Sequence, residues 1–523
     1  MPDLLVEGTL YTQDPSRPRA EAALIRDGRF LRIGTIEQCE REARSDVKVV
    51  TVDGCAVPGL TDAHGHPTLH GRQLAEVRLG GARSEEECVA RVQARASAEP
   101  PGRWILGSGW DQNAWPSRGF PGVEKLSAAV PLHPVALTRV DVHALWCNAR
   151  ALQLAQLDAA TADPPGGRII RGPDGKASGI LIDNAMEVVR RAIPRPTASE
   201  AELAILRSLS DLSAAGLTCV HDAAASAGSL EAYRKLAKSE ELALRVYAMI
   251  DGQGPLSRLE EQMNEWRETP TVGRLTVRSV KLFADGALGS RGAALFEPYA
   301  DDSGNVGLWL MEPKDLAERI ALVAAHGFQP SVHCIGDKAC AVVLEAFAKV
   351  PKELRPRAEH LQILRARDVP LLKRSGAIAS MQPTHATSDG AWADERLGKG
   401  SERQRGAYAW RQVLDARVPL AFGSDFPVEG IDPREGLRAA IARKTPSGAV
   451  WMPEQRLTRD EALLAFTVGA AYAEFAEERR GRIKEGQEAD LTVFGRDLFE
   501  TAADDLTSVP VVATVVGGVV EHA

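Results

Sequence analysis

The sequence predicts an α/β protein: a (β/α)8 TIM-type barrel, a small β-sandwich domain built from both termini, and a large insertion after barrel strand 1. Three observations carry this reading. Short apolar or β-branched runs recur, most of them separated by helical stretches, which is the pattern of βα units around a parallel sheet. There are eight such runs, the number a closed barrel needs. Strands of a different texture sit at the two ends of the 523-residue chain.

Taken in order, residues 4–11, 22–26, 30–33 and 47–52 read as short strands, with Asp27-Gly28 as a turn pair. The same texture returns at 490–494 and 511–520, where Gly517-Gly518 marks a hairpin. The candidate barrel strands are 57–62, 217–222, 245–250, 279–284, 329–334, 357–361, 377–382 and 419–424. Between them, 313–326 places Leu316, Ile320 and Val323 on one helical face, and 337–350 does so with Val343, Phe347 and Val350. The expected division is 1–56 and 481–523 for the sandwich, 57–69 and 196–480 for the barrel, and 70–195 for the insertion. A stretch that long is not a simple loop. It holds a helical run at 84–98, the aromatic segment Trp104 to Asp111 and a Gly/Pro-rich stretch at 163–179. The expectation is a subdomain over the barrel mouth, where barrel enzymes carry their chemistry and where it would help select the substrate.

Composition narrows the function. A net charge of −8 with mixed signs gives no basic footprint for nucleic acid. Seven cysteines form an odd set with no Cys-x-x-Cys pair, which argues against a disulfide framework and against a cysteine-rich zinc module. The N-terminal residues lack a basic region followed by an apolar core, and no apolar run reaches membrane-spanning length. The expectation is a cytoplasmic protein with a small-molecule partner and neither a nucleic-acid nor a membrane partner.

Chemistry gathers at the ends of the candidate strands. The first ends in Pro58-Gly59-Leu60-Thr61-Asp62-Ala63-His64-Gly65-His66, where alternation sends both imidazoles to one side. The fourth carries Lys281, the fifth ends at His333, the sixth supplies His360 and the eighth ends at Asp425. Four imidazoles and a carboxylate suit one or two zinc-like ions, whose bound water would lose its proton near neutral pH. Asp425 is then placed to accept that proton.

These motifs, in this order, resemble the metal-dependent amidohydrolase superfamily. Lys281 to Gly286, His333 to Asp337, Glu359-His360, Met381 to His385 and Gly423-Ser424-Asp425-x-Pro427 are similar to its YtcJ-like branch, which includes N-substituted formamide deformylases. Asp141 to Asn148, Gly166 to Arg171 and Gly481 to Leu491 extend the likeness over nearly the whole chain. The resemblance implies that His64 and His66 bind the more buried ion, that His333 and His360 bind the second, and that Asp425 both touches metal and acts as general base. It implies one or two divalent ions, zinc first among them, a Lys281 carboxylated by carbon dioxide that bridges them, and a homodimer. The implied reaction is hydrolysis, by metal-activated hydroxide, of a non-peptide carbon–nitrogen bond in an amide, N-substituted formamide, N-acyl amine or cyclic amide. The same site fits a lactone or ester hydrolase, and a barrel that lost turnover would be a regulatory protein.

Further candidates flank this set. His385, just after the seventh strand, is positioned to act on a substrate carbonyl, and His221 is expected as a hydrogen-bonded support. Trp110, with Trp115 and Trp146, is a candidate apolar wall of the pocket. His143, Asp285 and Arg291 are candidate substrate contacts, Arg291 through a two-pronged grip on a carboxylate. Lys281 has the alternative of pairing with Asp285. Gly107-Ser108-Gly109 lacks the strand, lysine and helix of a phosphate loop, so no nucleotide cofactor is expected.

Overall fold

The computed structural model describes residues 2–112, 115–117, 119–140, 144–164, 167–194 and 197–523. Eight parallel strands form its central sheet: β1 (Leu60–Gly65), β2 (Leu217–Ala225), β3 (Arg245–Asp251), β4 (Leu275–Phe283), β5 (Gln329–Cys334), β6 (Arg357–His360), β7 (Ile378–Met381) and β8 (Leu420–Phe422). They are hydrogen-bonded in chain order. Helices follow as the apolar spacing predicts. Pro313–Ala325 buries Leu316, Ile320 and Val323, and Asp337–Phe347 buries Val343 and Phe347.

The sheet meets itself just past the ends of β8 and β1. The Asp425 amide donates to the His64 carbonyl at 2.7 Å, and the His66 amide donates to the Phe426 carbonyl at 2.9 Å. Buried Asp62 ties the same seam, accepting from the Ser424 hydroxyl at 2.7 Å and from the His64 amide at 3.0 Å. Close approach here requires glycine: a Cβ on Gly423 would lie 2.4 Å from the His64 nitrogen, and one on Gly65 would lie 2.1 Å from the Phe426 ring.

One boundary differs from expectation. The run 57–62 is divided between two sheets: Lys48–Pro58 pairs with Leu491–Phe494 in the terminal sheet, and β1 begins at Leu60. Gly59 makes the crossing, where any Cβ would meet the Thr218 hydroxyl at 2.3 Å. The terminal sheet has seven strands, four from the first 58 residues and three from the last 33, with Gly517-Gly518 at the final hairpin. Leu4, Val6, Ile25, Phe30, Leu491, Val493 and Val515 share its core.

Residues 69–204 form a second compact unit, separate from the unit of 1–68 and 205–523. Its six-stranded sheet runs in the order Gly167–Arg171, Ala177–Asp183, Ala144–Cys147, Val135–Arg139, Ile105–Trp110, Val77–Arg78. Among the described residues no helix is long and apolar enough to cross a membrane.

Candidate metal centre at the barrel mouth

Strand alternation brings the first ligands inward. His64 and His66, two apart on one face, place their Nε2 atoms 3.5 and 3.0 Å from one oxygen of Asp425. On β6 the same rule turns Arg357 and Glu359 into the barrel, so His360 on a regular strand would face out. Its φ of +69° breaks the strand and swings the ring into the mouth, where it lies 4.7 Å from His64 and 4.6 Å from His333, centroid to centroid. Asp425 is likewise left-handed, at φ +64°. A non-glycine residue in that region costs on the order of 1–3 kcal/mol and persists where surrounding bonds fix it. His385 comes from the helix Pro383–Asp389, which follows β7 after one residue, and its Nε2 lies 3.2 Å from the other Asp425 oxygen.

Three rings are oriented from behind. Nδ1 of His64 faces Glu359 at 2.6 Å, Nδ1 of His360 faces the Gln382 amide oxygen at 2.8 Å, and Nδ1 of His385 faces Glu429 at 3.1 Å. An oxygen acceptor takes the Nδ1 proton and leaves Nε2 as the lone pair, which is how metal-binding histidines are held. Burial pulls the His64 imidazole down to about 4 and that of His333 to about 3, in both cases helped by the charge of Lys281, and it holds His360 well below its ordinary range. All three are therefore neutral, as ligation demands. His385 differs. Burial pulls it down, but hydrogen bonds to Asp425 and Glu429 push it up to about 10. Asp425, although buried, is held well below the usual carboxylate range by His385, His66 and the other rings around it.

Among the described residues, three sets of ligand atoms lie within 4.8 Å of one another: His64, His66 and Asp425; His360, His385 and Asp425; and Cys219, His221 and Glu474. The first two share Asp425 and fit divalent ions, because imidazole nitrogens and an anionic carboxylate, the donors such ions prefer, converge there. Buried His333 Nε2 has no hydrogen-bond partner beside them. The third set does not fit. Arg357 donates to His221 Nδ1 at 2.9 Å, and arginine has no lone pair to offer, so the His221 proton must sit on Nε2. Arg480 meanwhile holds both oxygens of Glu474, at 2.8 and 2.7 Å.

Lys281 is buried, with Nζ 3.1 Å from His64 Nε2 and 5.0 Å from the Phe283 ring. Burial lowers its amine to about 8, against the pull of Glu359 and Asp425. It does not pair with Asp285, whose carboxylate accepts from the amides of Ala294, Ile335 and Gly336 at 2.8, 3.0 and 2.8 Å. Asp285 therefore pins the loop after β4 to the turn after β5, a correction to its expected place against the substrate.

Other expectations are corrected as well. Trp110, Trp115 and Trp146 form no pocket wall: all three are buried in the core of the 69–204 unit, and their indole N–H groups donate to the carbonyls of Leu137, Ala82 and Gly122. The guanidinium of Arg291 is taken by Asp301 at 2.9 Å. His143 lies outside the described residues. His333 does stand at the mouth, its ring 4.6 Å from that of His360 and hydrogen-bonded to the Gly286 backbone, and His385 stands there too, beside Asp425. Glu429, Gln382 and Arg357 were invisible as site residues. Glu359 sat in plain view beside His360, but chain adjacency does not reveal that it serves His64.

An eight-stranded barrel with such a mouth defines a metal-dependent hydrolase. The chain belongs to the amidohydrolase family, whose profile matches residues 53–522. It is 32% identical to Protein LONG AFTER FAR-RED 3 of Arabidopsis thaliana, over 99% of this chain and 91% of that one. It is 29% identical to a Bacillus subtilis (strain 168) protein named as amidohydrolase YtcJ, over 98% of this chain and 97% of that one. It is 26% identical to the N-substituted formamide deformylase of Arthrobacter pascens, over 99% and 98%. A solved metal-dependent hydrolase of Pyrococcus horikoshii superposes with a TM-score of 0.82 at 26% identity, covering 96% of this chain and 99% of that one.

Proposed function

We propose that this enzyme hydrolyses a non-peptide carbon–nitrogen bond, in an N-substituted formamide, an N-acyl amine or a cyclic amide. The observation that carries the reading is the position of Asp425, which faces the Nε2 atoms of His64 and His66 on one side and that of His385 on the other. These groups would hold a divalent ion, zinc by preference for imidazole and carboxylate, which would supply an activated water and a Lewis acid for a carbonyl oxygen. Asp425 then takes the proton of the attacking water and delivers it to the leaving nitrogen. Glu359 fixes the His64 ring while this happens. Lys281 would serve as a carbamate: its ammonium loses one proton to give the free amine and a second on addition of carbon dioxide, which turns a cation that would repel the ions into an anion that would help to hold them. The likeness to a formamide deformylase supports the bond type.

The test is a panel of N-substituted formamides, N-acyl amines and cyclic amides, each beside its matched ester or lactone. Turnover of amides that falls about a thousandfold in Asp425→Asn, with the melting temperature little changed, is the expected result. A preference for the esters, or an Asp425→Asn variant as active as the parent, overturns the proposal.

A further inference from the structure

We infer that the base of the barrel carries a second binding site, a cavity that takes an organic carboxylate with an apolar body. The cavity measures about 440 Å³ and lies among Trp266, Arg267, Val277, Arg278, His326 and Phe328. Val277 and Arg278 stand near the start of β4, and Phe328 directly precedes β5, so the cavity sits at the strands' N-terminal ends, away from the mouth. Its size falls in the range of about 300–1,000 Å³ that small-molecule sites occupy. Trp266, Val277 and Phe328 are buried and supply the apolar wall.

Two guanidinium groups give the cavity its charge, those of Arg267 and Arg278, and among the described residues neither has a hydrogen bond or an ion pair. A comparison inside the same fold shows what Arg278 lacks. Arg278 and Arg355 both stack on Phe475, 3.8 and 4.8 Å from the ring centroid. Arg355 is completed by a two-pronged pair with Glu477, at 3.0 and 2.7 Å. Arg278 is half-buried, with the ring but no acid. Stacking fixes the plane of a guanidinium and leaves its N–H edge for a planar oxyanion, so a carboxylate from outside completes Arg278 as Glu477 completes Arg355. Among the described residues no acid lines the cavity, and the neighbouring Glu265 is already paired with Arg234 at 2.6 Å. Two helices, Leu256–Arg267 and Pro313–Ala325, end at this place. A helix C-terminus carries about half a negative charge, which two full positive charges outweigh. The second helix is also capped, since the Leu322 carbonyl accepts from the His326 amide at 3.1 Å and faces its Nδ1 at 3.0 Å.

The experiment is calorimetric titration of the whole enzyme with benzoate, benzyl alcohol and inorganic phosphate, in the parent, Arg278→Leu, Arg278→Lys, Arg267→Ala and Asp425→Asn, with melting temperatures to verify folding. Benzoate should bind the parent, and about tenfold or more weakly to Arg278→Leu. Arg278→Lys keeps the charge but not the fork and should recover only part of the affinity. Arg267, being exposed, can be cut to alanine without touching the core, and Arg267→Ala should weaken benzoate by a smaller factor. The event lost in Arg278→Leu should persist in Asp425→Asn, which separates it from a carboxylate bound at the mouth. Benzyl alcohol, which lacks the charge, and phosphate, which lacks the apolar body, should each bind about tenfold or more weakly than benzoate. A parent that binds no benzoate overturns the inference. So does benzoate affinity that is unchanged in both Arg278→Leu and Arg267→Ala, or lost in Asp425→Asn, and so does benzyl alcohol or phosphate binding as tightly as benzoate. Each of these outcomes leaves the hydrolase reading intact, because no residue of the mouth takes part.

Discussion

Two clusters of possible metal ligands occupy one barrel, and they point to opposite chemistry. At the mouth, His64, His360 and His385 each have an oxygen acceptor behind Nδ1. At the middle of β2, His221 has the guanidinium of Arg357 behind the same atom. Both clusters include a carboxylate and satisfy the distances a metal needs. What separates them is the direction of one hydrogen bond. An acceptor behind the ring exports a lone pair, and a donor behind the ring exports a proton. Arg357 connects the two. It pairs with Glu359 at 2.7 Å, and the other Glu359 oxygen holds His64. Glu359, despite full burial, is kept well below the ordinary carboxylate range by Arg357 and His64. The lower cluster thus supplies the positive charge that keeps the upper one correctly protonated.

The sharpest way to break this arrangement is to remove that charge. Arg357→Met leaves Glu359 buried without its ion pair, and breaking such a pair costs about 3–5 kcal/mol. Denaturant unfolding should show a loss of that size. The double variant Arg357→Met with Glu359→Gln, which neutralises both partners, should recover a large part of it. A double variant no better than the single would mean that the packing of Arg357, and not its charge, is what matters.

A smaller effect separates the clusters as metal sites. Glu359→Gln leaves an oxygen near His64 but removes its charge, and an ion held by His64 should bind about 10–100-fold more weakly. Cys219→Ala, in the lower cluster, should leave metal content and affinity unchanged. Metal analysis after dialysis against graded chelator measures both, and a Cys219→Ala protein that loses an ion would end the distinction.

Much of this was legible in the sequence, and the physical reasons are specific. The eight barrel strands announce themselves because a parallel sheet covered on both faces needs continuous apolar runs. His64, His66, Lys281, His333, His360 and Asp425 were legible as candidates because barrel chemistry sits at strand ends, a position that a linear pattern records. Tryptophans could not be assigned, since a buried core and an apolar pocket demand the same side chain, and Trp110 went to the core. The supporting charges were hidden by distance along the chain. Glu429 lies 44 residues from His385, and Arg357 lies 136 from His221. No local spacing encodes such a contact. His385 reaches the mouth because a helix starts at Pro383 and carries it there on its first turn, a placement that strand spacing does not record.

The rule that a guanidinium keeps its carboxylate ionised also holds far from the site, where it has a milder consequence. Asp3, fully buried in the terminal sheet, accepts from Arg26 through both oxygens at 2.9 and 2.6 Å and from the Arg44 amide at 3.0 Å. The Arg26 hydrogen bonds, against the opposing effect of burial, lower its carboxyl from 3.8 to about 2. A folded-state value below the unfolded one stabilises the protein above about pH 4, and this contribution disappears as the pH falls toward about 2, because protons then bind the unfolded chain first. Arg26 is a quarter exposed, so solvent screening keeps the effect small. Melting temperatures of the parent and Asp3→Asn should therefore differ most near neutral pH, with the parent higher, and should converge on acidification. A gap that stays constant from about pH 7 to about pH 2 would show that Asp3 acts through its shape and hydrogen bonds alone, and the guanidinium rule would then apply to the barrel interior but not to the terminal sheet.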